Sequence, residues 1–165
     1  MFSAELHPFV LHFAVALLVM APLCDVVGLV FKREALLHAG RWNTFFGTLT
    51  CMFSVLTGLA AELMLGSHSQ AGEALLHLHK ALGYALLGVC IPVAAWRAIS
   101  QYPFPRRART LYLALSIAGA AICIAEAVLG SALVYRHGVG LSPAARAEPV
   151  LRQVPSRIGV EKNPR

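Results

Sequence analysis

Charge is what this sequence has least of. Only 13% of its 165 residues are Asp, Glu, Lys or Arg, against about 25% in a soluble domain. A chain this poor in charge cannot cover a water-facing exterior, so lipid is the solvent its composition implies. Chemical motifs are missing as well. There is no His-Glu-x-x-His run, no phosphate-binding glycine loop and no dinucleotide fingerprint. Nor is there a recognisable set of nucleophile, base and acid, so an enzyme acting alone is not expected. Cys24, Cys51, Cys90 and Cys123 form neither Cys-x-x-Cys nor the Cys-x-x-Cys-His of covalent haem attachment. Each falls in a different apolar stretch and reads as a small packing residue. The N-terminus lacks the basic region of a cleavable leader, and its first apolar run ends in Lys32-Arg33 rather than at a small-residue site. The net charge of +6 has no interleaved aromatics of the single-strand-binding kind, so no nucleic-acid partner is expected.

What is present is four long apolar runs. A helix needs about 20 apolar residues to cross the hydrocarbon core. The expected spans are Pro8 to Phe31, Asn43 to Leu65, Leu75 to Ala98 and Thr110 to Tyr135. Gly66, Ser67, Ser69 and Gly72 mark the second connection, and Tyr102-Pro103-Phe104-Pro105 the third. The chain therefore reads as an all-α membrane protein: a four-transmembrane-helix bundle over residues 1–141, with short loops. Residues 142–165 read as an extended or disordered polar tail.

Basic residues set the expected orientation. Connection one holds Lys32, Arg33 and Arg41; connection three holds Arg97, Arg106, Arg107 and Arg109; connection two holds none before Lys80. The positive-inside rule then puts both termini outside, which for a bacterial inner membrane is the periplasm. Arg136, Arg146 and Arg152 in the tail argue the other way, but loops flanked by two spans are the better witnesses.

Helical spacing groups the polar residues. Gly119, Cys123, Glu126, Gly130 and His137 share one stripe of span four; Gly47, Cys51, Ser54, Gly58 and Glu62 share one of span two. His79, Gly83, Leu86 and Cys90 share a face of span three. On span one the expected inward face is His12, Ala16, Val19 and Leu23. His7, His12, His77, His79 and His137 all fall at one membrane face. His77 and His79 point to nearly opposite sides, and His79 shares the glycine face.

Imidazole is the common neutral ligand of haem iron, copper and zinc. Two imidazoles on facing helices, small residues to admit a porphyrin and cations for its propionates would suit a haem b. His12 and His79 are the candidate axial ligands. They are also the candidate ligands for a copper or zinc ion. His7 and His137 are alternates or supporting groups, and Arg136 or Lys80 would face the propionates. The ordinary alternative is that interfacial histidines hydrogen-bond headgroups, water and helix ends. Asp25, Glu62 and Glu126 are intramembrane acids, read either as a proton path or as carboxyls hydrogen-bonded between helices.

Four stretches resemble a known bacterial family of small four-helix membrane proteins, domain of unknown function 2231. They are His7-Pro8-Phe9-Val10-Leu11-His12-Phe13, Ala39-Gly40-Arg41-Trp42 leading to Leu56-Thr57-Gly58, Leu78-His79-Lys80-Ala81-Leu82-Gly83, and Val134-Tyr135-Arg136-His137-Gly138-Val139-Gly140. Ala14 stands where the family often has proline, and Ala132 where it often has glutamate. The resemblance implies a membrane location and a four-helix fold. Some relatives look fused to Rieske or cytochrome c-like domains, which implies by association work near periplasmic electron transfer. The expected function is therefore b-type haem binding and electron transfer. The alternatives are a cofactor-free accessory subunit of a respiratory or photosynthetic complex, and periplasmic copper or zinc binding. Expected partners are the bilayer, other subunits of such a complex or a periplasmic cytochrome.

Overall fold

The computed structural model describes residues 2–66, 69–100 and 104–141. These form four helices: α1 (Phe2–Val30), α2 (Glu34–Glu62), α3 (Gln70–Ile99) and α4 (Arg106–Tyr135). At 1.5 Å per residue each is about 44 Å long, enough to cross the hydrocarbon and reach the headgroups. All four are long and apolar enough to span a membrane. The tail read as extended, and the loop around His68, lie outside the described residues.

The helices run up and down in a ring. α1 packs on α2 and α4, and α3 on α2 and α4, with the pairs α1/α3 and α2/α4 diagonal. Each helix turns inward a stripe that alternates three and four residues, the seam geometry of packed antiparallel helices. On α2 the stripe is Gly40, Thr44, Gly47, Cys51 and Ser54; on α3 it is His79, Gly83, Leu86, Cys90, Val93 and Arg97. On α4 it is Tyr112, Gly119, Cys123, Glu126 and Leu133. Small residues dominate, and in lipid close backbone approach is a main source of helix association. Large apolar side chains face outward instead, among them Phe13, Leu23, Phe53, Leu56, Ile117 and Ile124.

Two expectations need correction. α2 begins at Glu34, well before Asn43, so Arg41 lies in its first turns and not in connection one, and His38 lies there with it. Glu34-Ala35-Leu36-Leu37 are good helix formers, and the chain reverses within three residues. Lys32 takes the left-handed conformation at φ 52°, and the Arg33 N–H donates to the Gly28 carbonyl at 2.8 Å. That is a Schellman stop with lysine where glycine is usual. The inward face of α1 is also different. Ala14, Leu18, Ala21, Cys24 and Asp25 are buried, whereas His12, Ala16 and Leu23 are exposed. Asp25 sets the phase, because a carboxyl is the group on this helix most costly to leave in lipid. His12 precedes it by thirteen positions, which at about 100° each turns it roughly 140° away.

Candidate functional site

Two polar clusters occupy the bundle axis, one near each end, and each draws on all four helices. Their placement follows from one interval. His7 and Asp25 on α1, Gly40 and Gly58 on α2, His79 and Arg97 on α3, and Tyr112 and Gly130 on α4 are each eighteen positions apart. Eighteen residues are five turns, so each pair shares a face. The rise is about 27 Å, close to the thickness of the hydrocarbon core.

The first cluster is built on Asp25, which is 0% exposed. The Arg97 guanidinium donates to Asp25 Oδ1 at 3.1 Å and to the Leu37 carbonyl at 2.8 Å. The Tyr112 hydroxyl donates to Asp25 Oδ2 at 2.6 Å. Thr44 Oγ1 lies 3.5 Å from that hydroxyl and donates to the Gly40 carbonyl at 2.9 Å. A Cβ on Gly40 would collide with the Asp25 carboxyl, so glycine is what lets the acid enter. The Arg97 guanidinium also sits 5.5 Å from the Tyr112 ring centroid. Arg97 thus belongs inside α3 and is 2% exposed; it is not a loop charge. Both carboxylate oxygens are bonded, which marks this cluster as a tie between helices. Sequence reasoning found Asp25 but neither partner; the missed signal was that Arg97 shares its helix face with His79.

The second cluster joins His7, His79 and Glu126. His7 Nδ1 donates to the Ser54 carbonyl at 2.8 Å, with Thr57 Oγ1 at 3.4 Å. A carbonyl can only accept, so Nδ1 carries the proton and Nε2 is left as the free lone pair of the neutral ring. His79 Nε2 lies 4.0 Å from Glu126 Oε1, and its Nδ1 has no hydrogen-bond partner among the described residues. The two imidazoles meet edge to face, with centroids 6.3 Å apart. Each ionisable group sits against a glycine of another helix. A Cβ at Gly58 would come within 3.0 Å of His7, one at Gly83 within 2.9 Å of Glu126, and one at Gly130 within 3.3 Å of His79.

A family model for predicted membrane proteins, DUF2231, matches residues 3–143. The chain belongs to that family. It matches no curated protein and no solved structure. This DUF2231 protein is therefore a multi-pass integral membrane protein, and its site must be read from its own geometry.

The proposed ligands are not brought together. His12 is exposed on the outside of α1, with Nδ1 against the Pro8 carbonyl of its own helix. It cannot face His79 across the bundle. His7 does face His79, because it shares the Asp25 face. His137 is half-buried beside Gly72 in the first turn of α3, two turns from His79. His77 is exposed and lies 3.2 Å from Glu73. Lys80 donates to Glu62 at 2.7 Å, so it is committed to a carboxylate. Arg136 is exposed and borders a recess of about 640 Å³ on the outer face of α4, which contains one imidazole, His137. A haem does not fit between His7 and His79. The space a porphyrin would need is taken by helices packed so closely that even a Cβ at Gly58 would come within 3.0 Å of His7 and one at Gly130 within 3.3 Å of His79. Among the described residues no three His, Cys, Asp or Glu side chains are arranged to hold a metal ion.

Proposed function

We propose that this protein is a membrane subunit, without a haem of its own, whose His7–His79–Glu126 cluster binds and releases protons. The observation that carries this reading is the 4.0 Å approach of His79 Nε2 to Glu126 Oε1 inside the bundle, with both residues less than a tenth exposed. Ionisable groups held at membrane depth are costly, and they persist where a protein uses them. Imidazole and carboxyl are ordinary proton carriers, and His79 Nδ1 is buried without a hydrogen-bond partner among the described residues. The opposite cluster differs in kind. Asp25 is bonded on both oxygens, which suits a fixed clamp rather than a site of exchange.

In this reading the histidine end faces outward in a bacterial inner membrane. Lys32, Arg33 and Arg41, and Arg106, Arg107 and Arg109, gather at the other end, which the positive-inside rule assigns to the cytoplasm. Alkaline-phosphatase fusions after Gly66 and after Leu141 should both be active. Activity only in fusions after Arg33 or Arg107 would reverse the orientation. Partnership with a respiratory or photosynthetic complex, or with a periplasmic cytochrome, is the setting in which an outward proton site has work to do.

The function is tested with the protein in nanodiscs and a pH dye in the surrounding buffer. After a small acid pulse the wild type should take up more protons than Glu126→Gln or His79→Ala. Equal traces in all three would end the proton reading. The haem reading has its own check: a dithionite-reduced spectrum with sharp α and Soret bands, lost in His7→Ala and His79→Ala, would restore it.

A further inference from the structure

One to two turns inward of the Asp25 cluster, the bundle axis is not filled. A cavity with room of about 20 Å³ for a water-sized occupant is lined from every helix: by Leu18 and Pro22 of α1, Thr44 and Thr48 of α2, Cys90 of α3 and Ser116 of α4. About 10–15 Å³ of such room is enough for one water, provided it finds two to four polar partners. The lining is mostly apolar, but residues on it carry candidate partners. Ser116 Oγ is buried and has no hydrogen-bond partner among the described residues. Pro22 lies inside α1 and has no N–H, so the Leu18 carbonyl four residues earlier loses its usual i+4 helical donor. Thr48 Oγ1 donates to the Thr44 carbonyl at 2.8 Å, which leaves its lone pairs available as acceptors. An unpartnered hydroxyl and a proline-freed carbonyl belong to residues that line one small cavity from helices that pack together, and a molecule with two donors and two acceptors is complementary to them.

We propose that this cavity is a binding site for a single water molecule that bridges the Ser116 hydroxyl on α4 to the Leu18 carbonyl on α1, with Thr48 as a third partner. The water closes the hydrogen-bond gap that Pro22 opens. It also continues the hydroxyl series Tyr112, Thr44 and Thr48 toward the middle of the membrane. A buried hydroxyl and a buried carbonyl left without partners in lipid each cost more than an ordered water does.

The test is an experimental structure of the full chain fine enough to place ordered waters, together with melting of Ser116→Ala in detergent. Density within hydrogen-bond reach of both Ser116 Oγ and Leu18 O is expected, along with a lower melting temperature for Ser116→Ala, because the water loses a partner. Gly119→Ala is the second variant. Gly119 borders the same cavity, and an added Cβ would meet Val89 and Cys90 at 3.5 and 3.6 Å, ordinary contact distances. It should fold normally and displace the density. A dry cavity that takes up xenon, with Ser116→Ala melting higher than the wild type because an orphaned hydroxyl has been removed, would overturn the proposal.

Discussion

Asp25 and Glu126 are both carboxyls buried in this bundle, yet one is bonded on both oxygens and the other lies 4.0 Å from the His79 imidazole. That difference sets what their removal should do. Asp25 neutralises Arg97, which is itself 2% exposed. Truncating one member of a buried pair leaves the other charge uncompensated, at a cost of about 3–5 kcal/mol. Asp25→Ala should therefore lower the melting temperature in detergent far more than Glu62→Ala. Glu62 pairs with Lys80 at the rim, with both side chains about a third exposed, and such a pair contributes about 0–1 kcal/mol. Comparable losses in the two variants would mean that the Asp25–Arg97–Tyr112 cluster is not the clamp described. Gly130 gives a steric counterpart. A Cβ there already approaches His79 Cε1 to 3.3 Å, so Gly130→Leu must push α3 and α4 apart. Overpacking of this kind costs about 1–3 kcal/mol, and it should exceed the effect of Leu129→Ala in the same melt. Equal melting would place the close contact elsewhere.

At the scale of the helix, the phase of α1 is the point on which most depends. Cysteines introduced singly for spin labelling report it. A label at position 12 should collide readily with oxygen dissolved in lipid, and one at position 14 should not. The reverse pattern would return His12 to the interior and reopen the ligand assignment. This helix also marks how much was legible beforehand. The inward stripes of α2, α3 and α4 could be read from sequence because small or polar residues such as Gly47, Ser54, His79, Gly83 and Glu126 interrupt the apolar run at a helical spacing. α1 is apolar on nearly every side, so hydrophobic periodicity could not choose between the stripe of His12 and the stripe of Asp25. The eighteen-position interval between His7 and Asp25 did contain the answer, but only if the acid is allowed to fix the phase. The start of α2 was missed for a related reason. Arg41 looked like a loop residue, although helix propensity runs unbroken through Ala35-Leu36-Leu37 and α2 simply extends beyond the hydrocarbon core.

At the scale of the whole molecule, the bundle separates two jobs along one axis. A bonded cluster of Asp25, Arg97, Tyr112 and Thr44 ties the helices at the basic end. Between the ends lies a plug of Ala14, Leu18, Cys51, Leu86, Cys90 and Cys123. At the other end His7, His79 and Glu126 sit against glycines that admit their side chains and no more. An apolar plug blocks free passage, so proton exchange should be confined to the histidine end. Vesicles with the protein inserted should show no steady proton leak under an imposed potential, and a leak abolished by Glu126→Gln would place the barrier wrongly. The central claim is that Glu126 changes protonation inside this bundle. Infrared difference spectroscopy between acidic and alkaline buffer measures it most directly. A carboxylic C=O band that changes between the two buffers in the wild type and is missing in Glu126→Gln is the predicted result. Identical difference spectra from the two proteins would contradict it.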